Sequence, residues 1–128
     1  MQTATAEQKI QIGNYKDIYT QLGGNKFVVM TGSKIKYYGY NDNGYVYLMV
    51  ELSKNQSRAK YLKIQLNWKD LYDLEFSRIK RTLTPLAKEL GIKVYDEEQV
   101  IVTKMDDVYG EDLQGMFSQV TGLSTRLF

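Results

Sequence analysis

An α+β fold is predicted for this 128-residue chain, one antiparallel sheet with a short N-terminal helix and a C-terminal amphipathic helix packed on it. Three observations predict it. Two alternating runs flank Asn41-Asp42-Asn43-Gly44, further alternating runs follow around Leu62–Leu66 and Tyr72–Phe76, and the last element changes to helical spacing. Alternation puts every second side chain on one side of a strand, whereas spacing of three and four makes one face of a helix. The length fits a single domain, 1–128, with residues 1–8 as a flexible polar leader.

In chain order, Asn14 is placed to cap a helix over 15–22, with Ile18, Tyr19 and Leu22 on one side and Gly23-Gly24 to stop it. Phe27, Val28, Val29 and Met30 then form a β-rich run ended by Thr31-Gly32, which reads as a buried strand. The hairpin that follows is expected to turn at Asn43-Gly44 as type I′. That turn pairs Tyr40 with Tyr47, Tyr38 with Met49 and Lys36 with Glu51 on an amphipathic face. Gly39 with Leu48, Tyr37 with Val50 and Ile35 with Leu52 then fall on the apolar face.

After a basic connection over 54–60, Leu62, Ile64 and Leu66 alternate with Tyr61, Lys63, Gln65 and Asn67. Beyond a turn near 68–70, Tyr72, Leu74 and Phe76 mark the next strand, with Lys63 facing Asp73 or Glu75 across the pair. Thr84-Pro85 starts a short helix that Gly91 stops, and Val100–Val102 form one more strand, with 93–95 a weaker one. Leu113, Met116, Phe117 and Val120 make the apolar face of the last helix, with Glu111 and Asp112 at its N-terminal end and Gly122 after it. Gly115 within it points to a close contact with the sheet.

The chain has no cysteine and no histidine. That excludes disulfides, thiolate nucleophiles, Ser/His and Cys/His catalysis and nearly every transition-metal site, so the reading is of a protein that is not an enzyme, without catalytic residues, metal or cofactor. Residues 1–64 carry nine Lys/Arg against four Asp/Glu and residues 65–128 carry eight against eleven, a dipole in sequence within a net charge of +2. No apolar run reaches the ~18 residues of a membrane span, so a cytoplasmic protein is expected.

Eleven tyrosines supply the functional signal. In the expected register Tyr38, Tyr40, Tyr45 and Tyr47 share a face near Lys36, Tyr61 and Lys63 extend it, and Lys54, Arg58 and Lys60 line its edge. Aromatic rings among cations hold single-stranded nucleic acid, at about 1–3 kcal/mol per stacked base. The competing reading is that these rings pack under the N-terminal helix, support a second layer or form an oligomer contact.

Arg78, Lys80 and Arg81 before the short helix offer a second basic cluster, and Asp96, Glu97, Glu98, Asp106, Asp107, Glu111 and Asp112 an acidic one. The acidic spacing does not fit an EF-hand; a solvated face or a decoy for a basic groove are its readings.

Gln21-Leu22-Gly23-Gly24-Asn25-Lys26-Phe27, Met30-Thr31-Gly32, Leu62–Asn67, Tyr72–Phe76 and Val120-Thr121-Gly122-Leu123 together resemble a family of small proteins of bacteriophages and mobile elements. The resemblance carries no activity and no site residue. It implies a phage accessory role in a bacterial host: binding single-stranded DNA or RNA, or inhibiting a host nuclease or CRISPR-type effector.

Overall fold

Five strands follow one another across a single sheet in sequence order, each antiparallel to its neighbours. They are β1 (Lys34–Tyr40), β2 (Val46–Glu51), β3 (Tyr61–Leu66), β4 (Tyr72–Leu83) and β5 (Tyr95–Val108). Helices α1 (Tyr15–Leu22), α2 (Asn25–Thr31), α3 (Pro85–Leu90) and α4 (Leu113–Thr121), the last preceded by a 3₁₀ turn over Gly110–Asp112, complete the α+β domain. The computed structural model describes residues 11–123, so the leader over 1–8 lies outside the described residues. No helix among them is long and apolar enough to cross a membrane.

Helix α1 forms as its sequence requires. Asn14 Oδ1 accepts from the Lys16 amide at 2.8 Å, Asp17 sits in the first turn, and Ile18 and Leu22, four residues apart, are fully buried. The strand expected over 27–30 is instead the middle of α2. Phe27 and Thr31 are buried at helical spacing while Val29 is 78% exposed, an arrangement a strand cannot make because Phe27 and Val29 would share a face. The two glycines between the helices hold positive φ, 121° at Gly23 and 61° at Gly24, and turn the chain so that Phe27 meets the Phe117 ring edge-on at 4.8 Å.

The hairpin closes one residue away from the expected register. Gly44 alone of the turn has positive φ, and its amide donates to Asn41 O at 2.9 Å. Asn41 Oδ1 also accepts from the amides of Asn43 and Tyr45, both at 2.9 Å. The loop is therefore three residues, a turn followed by a left-handed glycine, rather than a two-residue type I′ turn. Tyr40 pairs with Val46, Tyr38 with Leu48 and Tyr37 with Met49, and a bulge at Lys36 brings Ile35 opposite Val50.

One face of the sheet carries Val46, Leu48, Val50, Leu62, Ile64, Leu74 and Phe76, all at most 1% exposed, and packs on Ile18, Leu22, Phe27, Leu113 and Phe117 from the helices. Gly115 is not a contact: it is exposed, and a Cβ there would meet nothing within 4 Å.

Strands β4 and β5 are longer than their apolar runs. Only the first half of β4 pairs with β3; beyond Ser77 the two strands pair with each other alone and form an arm tipped by α3. Thr84 caps that helix by accepting from the Ala87 amide at 3.0 Å. The arm explains why 95–99 lacks alternation, since both its sides are exposed.

Candidate recognition face

The other side of the sheet is covered by no element among the described residues. Alternation sends Tyr47, Met49 and Glu51 of β2, Tyr61, Lys63 and Gln65 of β3, and Asp73 and Glu75 of β4 to it, each half-buried by its neighbours alone. Register aligns them in rows: Tyr37, Met49, Lys63, Glu75 and Lys104 cross the sheet side by side.

Gly39, opposite Tyr47, lets that ring lie down on β1, since a Cβ at Gly39 would stand 2.7 Å from the Tyr47 hydroxyl. Tyr37 meets Tyr47 at a ring-centroid distance of 6.2 Å and nearly perpendicular, and Lys63 Nζ lies 4.9 Å from the Tyr47 centroid. Tyr47 is thus held by three neighbours. A groove of about 250 Å³ runs beside it, lined by Lys36, Tyr37, Met49, Tyr61, Ile79 and Gln99, one or two residues from each strand. At its end Gln99 Nε2 donates to the buried Ser77 hydroxyl at 3.0 Å, fixing the root of the arm.

The structure divides the residues expected to share this face. Tyr47, Tyr61 and Lys63 lie on it, and Lys36 reaches it from the bulge. Tyr38 and Tyr40 do not: the one-residue change of register turns them to the helix side, where Tyr38 stacks on Tyr15 at 4.0 Å and Tyr40 packs against the core. Tyr45 pairs with Ile12 at the sheet's end and also packs against the core. Arg58 and Lys60 belong to the β2–β3 connection, with Lys60 Nζ 5.6 Å from the Tyr61 centroid.

Tyr37, Ile79 and Gln99 were not expected here. For Tyr37 the available signal was the Asn at the first position of Asn-Asp-Asn-Gly, because its side chain favours the longer loop. Ile79 and Gln99 face each other where β4 and β5 run on beyond β3, a stretch without apolar alternation in the sequence. No protein-family model, curated protein or solved structure matches the chain.

Charge on the face is balanced by pairing. Lys36 Nζ is 3.5 Å from Glu51 Oε1, Lys63 stands opposite Glu75, Glu75 opposite Lys104, and on the arm Arg81 Nε is 3.2 Å from Glu97 Oε2. The basic and acidic clusters of the sequence are largely one feature of the fold, with Lys80 opposite Glu98, Arg81 opposite Glu97 and Thr82 opposite Asp96. Asp107 is likewise engaged, by Lys69 Nζ and Asn67 Nδ2 at 2.9 Å each. Arg78, which stands opposite Val100, and Asp106, Glu111 and Asp112 lie outside these pairs and are exposed.

Proposed function

We propose that the chain is a non-enzymatic recognition module that binds a protein partner through the uncovered sheet face. The observation that carries this reading is a groove floored by Tyr37, Met49, Tyr61 and Ile79 within a charge-balanced surface. Tyrosine and methionine are enriched in protein interfaces, and a groove of this size accepts an anchoring side chain. A polyanion needs an excess of cations, and here the lysines face carboxylates. At the arm's tip Leu86, Leu90, Ile92 and Val94, each about half exposed or more, add an apolar surface of the same kind. The resemblance to phage-borne proteins makes a host defence component the first partner to test.

A second reading, single-stranded nucleic acid on the same face, is favoured by Lys63 beside Tyr47 and Lys60 beside Tyr61. Salt separates the two. Tagged chain incubated with bacterial host extract is expected to retain one specific protein at about 300 mM salt, where phosphate contacts are weak. Met49→Lys combined with Tyr61→Glu is expected to lose it. Equal retention by the variant overturns the face as the site. A labelled single strand that binds at about 50 mM salt, is released as salt rises and is lost in the same variant establishes the second reading instead.

A further inference from the structure

Residues 52–60, which join β2 to β3, form a loop that closes on itself. Asn55 ties it together: Nδ2 donates to Ser53 O at 2.8 Å and Ala59 O at 2.9 Å, while Oδ1 accepts from the Ser57 amide at 3.0 Å and from the Ser57 hydroxyl. The loop is also fastened to the ends of two helices. Ser53 Oγ donates to Thr31 O of α2 at 2.6 Å, and the Gln56 amide and Nε2 donate to Thr121 O and Val120 O of α4 at 3.2 and 3.4 Å.

Those helix-end carbonyls are satisfied by neutral donors, so the loop's cations are not used there. Lys54, Arg58 and Lys60 line a concavity of about 500 Å³ whose walls contain no aspartate or glutamate. Among the described residues none of the three forms an ion pair. This contrasts with the sheet face, where cations and carboxylates alternate. Arg58 occupies φ 65°, left-handed backbone in which glycine costs least.

We propose that this loop is a binding site for a small phosphorylated ligand with two or more negative charges, of the pyrophosphate or nucleoside-diphosphate class. Three cations without a counter-charge match a multiply charged anion better than a single carboxylate, Arg58 supplies the planar fork that grips phosphate oxygens, and Asn55 keeps the backbone fixed. The volume lies in the range of small-ligand sites, roughly 300–1,000 Å³. The site is distinct from the groove on the sheet face and does not depend on a protein partner binding there.

The test is a titration of the ¹⁵N-labelled full chain with pyrophosphate at low salt, read from backbone amide shifts, beside a parallel titration with a short single-stranded oligonucleotide. Saturable shifts confined to residues 53–60 are expected. Arg58→Gly is expected to weaken the pyrophosphate complex by about tenfold, the scale of one charge-assisted hydrogen bond, and Lys54→Gln to weaken it too. Because glycine adopts this φ freely, Arg58→Gly should unfold at the same urea concentration as the wild type or a higher one, which keeps loss of binding apart from loss of fold. Lys88→Gln, a cation on the arm, leaves the titration unchanged. Absence of saturable shifts with pyrophosphate, equal affinity in Arg58→Gly, or binding of the oligonucleotide without pyrophosphate binding overturns the proposal.

Discussion

The same strands build two unlike faces. On the helix side β2, β3 and β4 contribute aliphatic side chains and Phe76, which water does not reach; on the other they contribute tyrosine, methionine, lysine and glutamate, which it does. Folding requires the first set, since the helices have no other apolar surface to cover. It does not require the second. Threonine, serine and paired charges would also make a solvent face, so two rings and a methionine lining a groove, with Tyr47 against one of the rings, are what the proposed recognition role rests on.

The largest expected effect tests that asymmetry directly. Phe117 is fully buried and packs edge-on against Phe27, so Phe117→Ala should lose about 3–5 kcal/mol of stability, from lost transfer energy and the cavity left behind. Tyr61→Ala, on the uncovered side, should cost less than about 1 kcal/mol, as surface substitutions do. Urea unfolding of both variants reads the difference. Similar costs would mean that the two faces are equally buried and would remove the contrast on which a recognition role rests.

The register of the β1–β2 hairpin decides which tyrosines belong to which face, and Asn41 decides the register. Asn41→Ala removes the acceptor for two backbone amides and should cost about 1–2 kcal/mol. If the variant then adopts the two-residue turn, Tyr38 and Tyr40 would exchange faces with Tyr37, visible as a loss of contacts between Tyr15 and Tyr38 in nuclear Overhauser spectra.

This hairpin also marks how far the sequence could be read. Strands β2 to β4 were legible because burial on one side imposes strict alternation, and Lys63 does stand opposite Glu75. Asn43-Gly44 carried a true turn signal but not the loop length, because a two-residue and a three-residue loop differ only in whether a side chain three positions before Gly44 folds back. Helix α2 was illegible for another reason: four apolar residues fit either period, and the tertiary contact of Phe27 with Phe117 settled it. Strand β5 was missed over most of its length because the arm is exposed on both sides and so leaves no pattern. Of the residues expected on the site, Tyr47, Tyr61 and Lys63 survive because their strands were read correctly and Lys36 because the bulge returns it to that face, whereas Tyr38 and Tyr40 followed the one-residue error.

Tyr72 sharpens the contrast from the covered side. It is 7% exposed, and its phenol is pushed above the ordinary value of 10.0, first by burial and then by the nearby carboxylates of Asp17 and Asp70. The folded chain therefore holds this proton more tightly than the unfolded chain does. Stability from the neutral phenol is fully present below pH 10 and is lost as pH rises through the raised folded value. Urea midpoints measured between about pH 9 and pH 11 should fall in the wild type and fall less in Tyr72→Phe, which cannot ionise. The two proteins differ only at this hydroxyl, so the difference between the two curves isolates Tyr72. Parallel curves would mean that water reaches the hydroxyl and that the covered face is open at its Tyr72 end, which would narrow the distinction on which the recognition face rests.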